Sequence, residues 1–305
     1  LMIKAIFLSL IIFLPLGAVE TFIVMKVNNE IITNTDIENE TRYLVALNNE
    51  LKNTDKKIIK KLAKESIIRE KIKKNEISKY FEFDNTKEYL DIVVKDYYKK
   101  LAINNLEDFK LYLKNYNLEL DVVKDKIEIE LLWNRLIGSK YKNQITINKE
   151  MLKDKIEKNF KDNELISEYK LSEIVFQIKN ESEMKSKKDS IQKDIIDLGF
   201  KNAANIHSIA ESSKFGGELG WISEKQLSKG ITDLIKNLSI NEISKPIKIA
   251  NGFMILKIND LREKKIENNK EKILQELIEV ETNRKYAQFS LIYYNKLKLN
   301  SIISE

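Results

Sequence analysis

Three hydrophobic patterns succeed one another along this chain. The first is a continuous apolar run from Ala5 to Leu16, preceded by Lys4 and closed by Gly17-Ala18. A basic start, an apolar centre and small closing residues form the pattern of a secretory signal peptide, here residues 1–18. The run is shorter than the ~20 residues of a membrane-spanning helix. Cleavage near Ala18 is therefore expected, with retention as an anchor the alternative.

The second pattern is mostly helical. Phe22 to Val27 predicts a short strand, Asn28-Asn29 a turn and Glu30 to Thr33 a return strand. Thr35 followed by Glu38 predicts a capping box and a helix start. Apolar residues then recur at three- and four-residue steps: Ile58, Ile59, Leu62, Ala63, Ile67 and Ile68, then Tyr89, Leu90, Val93, Val94, Tyr97, Tyr98 and Leu101, then Leu106, Phe109 and Leu113. Of each tyrosine pair, Tyr97-Tyr98 and Tyr293-Tyr294, one ring at most is core. A longer helix is predicted from Leu120 to Gly138, and Asn148 is a good N-cap for another. No proline lies between Leu16 and Lys245 to break these helices.

From Tyr169 the pattern changes again. Lys170 to Ile178 predicts a strand, Glu181 to Leu198 a charged helix, and Lys225 to Leu238 another helix. Two strands follow, separated by Asn251-Gly252. Glu263 to Lys298 predicts a long charged helix, and Leu299 to Ser304 a short strand back at the first domain. The class is α+β: a mostly helical N-terminal domain completed by the C-terminal helix, and a second domain with a small antiparallel sheet flanked by helices. The expected boundaries are 19–165, 166–262 and 263–305.

Composition removes several function classes. The chain has no Cys and one His, His207, which excludes thiolate and multi-His metal sites. His207 is expected at the surface or at a helix end. The net charge of +6 is finely mixed, with no basic stripe interleaved with aromatics, so nucleic acid is not an expected partner. No nucleotide motif is present. Trp133 and Trp221 are read as core anchors.

The glycines carry the chemistry. Only eight occur in 305 residues, and four of them lie in two phrases, Phe215-Gly216-Gly217-Glu218-Leu219-Gly220-Trp221 and Asn251-Gly252-Phe253-Met254-Ile255-Leu256-Lys257-Ile258. A chain this poor in Gly that spends a doublet needs a backbone shape other residues resist. Both phrases resemble the glycine signatures of the parvulin-type peptidyl-prolyl isomerases (rotamases), and the second departs from them at Met254, where the family has His. Leu238 to Ile247 resembles a further family phrase, with Asn241 in place of Gly, and Asn tolerates the left-handed conformation. Lys26 to Ile37, Gln144 to Ile147 and Asn283 to Tyr286 resemble segments of the SurA family of periplasmic chaperones. That family in its familiar form has two isomerase modules, and this chain has one.

The resemblance implies an ATP-independent periplasmic chaperone for unfolded outer-membrane proteins. Its clients would be held in a groove formed by the helical N-terminal domain and the C-terminal helix. No cofactor, metal or stable membrane insertion is implied. The positions of the parvulin polar cluster fall on Glu173, Ala210 and Met254, so no confident catalytic residue is assigned. The proline-pocket positions fall on Leu227 and Ile231, and Phe253 and Trp221 are further candidates for peptide contact. Gly216, Gly217, Gly220 and Gly252 form the structural glycine set. The alternative expectation is an active, and if uncleaved membrane-tethered, prolyl isomerase.

Overall fold

A computed structural model describes residues 20–83, 88–159, 165–178, 180–250, 252–265 and 269–304. The signal-peptide reading and Asn251 lie outside the described residues. Strands β1 (Ile23–Val27) and β2 (Glu30–Thr33) form the hairpin that Asn28-Asn29 predicts, with Asn28 at φ +53. The far end of the chain, β7 (Ile303–Ser304), adds to the other edge of β1, giving the order β2-β1-β7. Asn28 fixes the junction: its N–H donates to the Ile302 carbonyl at 2.8 Å, and its side-chain oxygen accepts from Ile302 N–H at 2.9 Å. The two termini of the described chain therefore share one sheet.

Helix α1 (Asn34–Leu47) is capped two residues earlier than Thr35 and Glu38 suggest. Thr33 ends β2 with extended backbone, its hydroxyl accepts from Asp36 N–H at 3.2 Å, and the Asp36 carboxylate accepts from Thr33 N–H at 2.8 Å. A strand end already has N-cap geometry, so the box forms there. Helices α2 (Lys56–Ile77), α3 (Glu88–Lys100), α4 (Leu106–Lys114), α5 (Leu120–Tyr141) and α6 (Lys149–Asn159) follow. Asn148 caps α6 by accepting from Met151 N–H at 2.9 Å. Leu90, Val94, Phe109, Leu113, Val123 and Ile127 merge into one core, as their spacing requires.

Seven further elements make the second sheet and its cover: β3 (Leu165–Phe176), α7 (Glu183–Leu198), α8 (Phe200–His207), β4 (Glu218–Ser223), α9 (Lys229–Ile235), β5 (Ile247–Ile249) and β6 (Gly252–Lys265). The sheet is antiparallel in the order β4-β3-β6-β5. The glycine phrase is not only a loop, since its second half is β4. The helix expected over Lys225–Leu238 is only α9. Ser223 and Gln226 close a single 3-10 turn, after which Leu227 and Ser228 are extended.

The last helix, α10 (Lys270–Leu299), starts later than Glu263. Glu263, Lys264 and Lys265 instead pair with Ser167, Ile166 and Leu165. Arg262 and Lys264 clasp Glu168 across the ladder, at 2.6 and 3.3 Å. Asn269 then caps α10 by accepting from Lys272 N–H. From there α10 returns along α6, α5 and α2. Trp133 of α5 is fully buried, donates to Ser290 Oγ at 2.8 Å and stacks on Tyr293 at 5.7 Å between centroids. The Tyr293 hydroxyl donates to Glu76 of α2. Tyr98 and Tyr293 are the buried members of their pairs. Among the described residues no helix is long and apolar enough to cross a membrane.

Candidate functional site

The two-residue period of β3 sends Leu171, Glu173 and Val175 to one face and Ser172, Ile174 and Phe176 to the other. Met254 and Leu256 of β6 continue the first face. In β4 the ladder slips, so that Leu171 opposes Gly220 while Ser172 opposes Glu218, leaving Leu219 as an extra residue. That bulge lets Leu219 and Ile222, three apart, reach the same side, which regular alternation forbids. The resulting wall borders a cleft of about 750 Å³. Its opposite wall comes from α2, through Arg69 and Lys73, and from α10, through Ala287, Leu291 and Tyr294.

The three positions Glu173, Ala210 and Met254 all line this cleft, as do Leu227 and Ile231. Ala210 is brought there by its neighbours. Ser208 Oγ accepts from Val175 N–H at 3.0 Å and from Ala210 N–H at 3.3 Å, while Ile209 N–H donates to the Val175 carbonyl at 2.8 Å. Glu173 Oε1 accepts from Ser212 Oγ at 2.9 Å. Burial pushes its carboxyl above the usual range, against the weaker opposing pull of the Ser212 hydrogen bond. Ala and Met bring no hydrogen-bonding hydrogen to the cleft, so Glu173 is the only one of the three that can donate or accept strongly.

Phe253 and Trp221 do not reach the cleft. Phe253 is one residue from Met254, hence on the opposite face, where it stacks on Phe176 at 5.7 Å. Trp221 likewise alternates with Ile222 and lies half-buried beneath the Arg262 guanidinium, 4.1 Å from the ring centroid. It does not line the cleft, and its half-burial departs from the expected core anchor. His207 ends α8 as expected, but its side chain is buried rather than superficial. One ring nitrogen meets Asp194 at 2.7 Å and the other faces Lys187 at 3.4 Å. Burial draws its pKa down, with the Asp194 hydrogen bond opposing.

The glycine doublet packs against the backbone of β3. Gly217 has φ +79, and a Cβ there would stand 2.1 Å from the Glu173 carbonyl oxygen. Glu173 N–H also donates to the Gly217 carbonyl at 2.8 Å, so the two backbones are already in contact. Gly216, Gly220 and Gly252 share positive φ. Phe215, just before the doublet, packs edge-on to Tyr97 of α3 at 5.6 Å and lies under Lys100 at 4.1 Å.

The carboxyl of Glu173 gives a signed pH prediction. A pKa raised on folding means that the folded state keeps its proton to higher pH than the unfolded chain, so stability falls as pH rises through that interval. Glu173→Gln removes the titration and keeps an acceptor for Ser212. Thermal unfolding should show the variant gaining on the parent as pH rises from about 4 to about 8. A pH-independent difference would contradict the assignment.

The family model of the PPIC-type peptidyl-prolyl isomerase domain matches residues 170–260. Residues 170–260 are a rotamase domain. Over a wider span the chain is similar to the chaperone SurA of Pseudomonas putida, 24% identical over 169 residues, which is 52% of this chain and 39% of that protein. It is also similar to a foldase protein PrsA of Bacillus cereus, 27% identical over 197 residues, covering 60% of this chain and 67% of that one. A solved SurA-like chaperone of Campylobacter jejuni covers 90% of this chain and 95% of its own at 21% identity, with a TM-score of 0.28. The chain spans about two-fifths of the length of the SurA relatives it matches. Arg69, Lys73 and the α10 residues of the cleft went unread in the sequence. Neither set adjoins in sequence the sheet residues it faces, and contacts between distant segments leave no local pattern.

Proposed function

We propose that this protein is an ATP-independent periplasmic chaperone that holds unfolded outer-membrane proteins, and that its rotamase domain binds client segments with little catalysis. Residues 19–165 with 263–305 form the chaperone unit, residues 166–262 the rotamase domain, and residues 1–18 the export signal. The observation that carries the reading is the cleft wall itself. Glu173, Ala210 and Met254, the positions that the resemblance assigns to the parvulin polar cluster, line one cleft beside apolar Leu227 and Ile231. Prolyl isomerisation faces a barrier of about 20 kcal/mol, and a catalyst must favour the twisted amide over both planar forms. A methyl group and a thioether make no strong hydrogen bond to that amide. An apolar wall still holds extended, apolar client chain.

The names of the relatives support this reading, being those of chaperones and foldases, one of them described as a periplasmic chaperone. The chaperone function is tested by diluting a denatured outer-membrane β-barrel protein into buffer with the purified chain and no nucleotide. Light scattering should fall in proportion to the protein added, and unchanged aggregation at a several-fold excess would end the proposal. The second reading, an active isomerase, rests on Glu173. Burial raises the proton affinity of this carboxyl, and in its protonated form it can donate to a substrate carbonyl or nitrogen within the cleft.

A further inference from the structure

One side chain of the cleft is underused. Arg69 projects from α2 into the cleft, half-buried, and a guanidinium carries five donors in a fixed fork. Among the described residues its only hydrogen bond is to Ser213 Oγ at 3.5 Å. The neighbouring cations differ. Lys73 is bound by Glu130 at 2.7 Å and lies over the Trp133 ring, and Arg284 is held by Glu281 at 2.6 Å. On the opposite side Lys248 of β5 stands exposed on the rim.

The acidic side of the balance is thin. Of the residues lining the cleft, Glu173 alone bears a carboxyl, and Ser212 already engages it. Ser212 and Ser213 are adjacent, so one short turn touches both the carboxyl and the guanidinium. The cleft therefore offers an apolar floor, a guanidinium whose one described hydrogen bond is long, and more cations than carboxylates among its lining residues, two of those cations being already paired. A fork of this kind matches a carboxylate with two parallel charge-assisted hydrogen bonds. A half-buried apolar setting screens that pair less than open water does.

We propose that Arg69 anchors an acidic side chain of the bound client segment, so that the cleft selects extended segments combining carboxylates with apolar residues. This rests on the reading of the cleft as a client site. The occupant is an internal segment rather than a chain end. Apolar residues of β3, β6, α9 and α10 line the cleft around Arg69, which suits apolar chain continuing on both sides of the carboxylate.

The test uses the full chain and fluorescently labelled peptides read by anisotropy. One is an apolar peptide bearing two Glu with an amidated end, the second is its Gln isostere, also amidated, and the third is the Gln isostere with a free carboxyl end. The Glu peptide should bind about tenfold more tightly than the amidated Gln isostere at low salt, with the gap closing as salt rises. Arg69→Gln, checked for folding by circular dichroism, should erase that gap between the Glu and Gln peptides. Arg69→Lys, which keeps charge without the fork, should narrow it, and this variant carries the test if Arg69→Gln does not fold. Equal binding of Glu and Gln peptides, or a gap untouched by Arg69 substitution, overturns the inference while leaving the cleft as a client site. A gain confined to the free carboxyl end overturns it in favour of terminus recognition. Absence of binding by all three peptides while the protein still suppresses aggregation instead removes the cleft as the client site.

Discussion

Gly217→Val will unfold the rotamase domain while the helical part of the protein stays folded. Two costs coincide at this residue. Its φ of +79 is one that a β-branched residue resists, at about 1–3 kcal/mol. The new Cβ would also meet the Glu173 carbonyl oxygen at 2.1 Å, an atom of the central strand that cannot swing aside as a side-chain end could. Overpacking of this kind adds roughly another 1–3 kcal/mol. Amide hydrogen exchange should show β3 and β4 losing protection while α2 and α5 keep theirs. Full protection of β3 in the variant would mean that the glycine phrase is not needed for its shape.

Trp133→Ala will release α10 from the helical core. The side chain is fully buried, stacks on Tyr293 and donates to Ser290, so one truncation empties a large cavity and strands a buried hydroxyl. Truncation of a buried aromatic costs about 3–5 kcal/mol, and the loss falls on the helix that carries β7 back to β1. Denaturant unfolding should show that loss. Trp133→Phe, which keeps most of the packing and removes the donor, should cost about 1 kcal/mol. Equal effects of the two variants would place the stabilisation in the hydrogen bond rather than in packing.

The helices of the first half were legible because their apolar residues keep helical steps for several turns and their caps are sequence-local, as at Asn148. Asn241 in place of Gly was legible too, and it takes φ +72. The errors fall where strand and helix signals overlap. Thr35 lost the cap to Thr33 because the preceding strand, not the best-looking box, decides where a helix begins. Glu263–Lys265 read as helix because nothing apolar alternates there, yet they pair with Leu165–Ser167, and Lys264 joins the cross-strand clasp on Glu168. Within the rotamase domain Glu173, Ala210 and Met254 were singled out by the resemblance of their phrases to the parvulin signatures, and all three line one cleft. Phe253 and Trp221 were misplaced by a single residue of strand phase. The second wall was invisible, because contacts between α2, α10 and the sheet depend on how the whole chain closes.

The central claim is that the rotamase cleft binds without effective catalysis, and the rate of cis–trans isomerisation of a proline tetrapeptide tests it most directly. The account predicts a rate close to the uncatalysed one, unchanged by Glu173→Ala and not restored by Met254→His alone, because members of a catalytic cluster act as a unit. A rate comparable to that of an intact parvulin, lost on Glu173→Ala, would contradict it and make Glu173 the residue on which an enzyme turns.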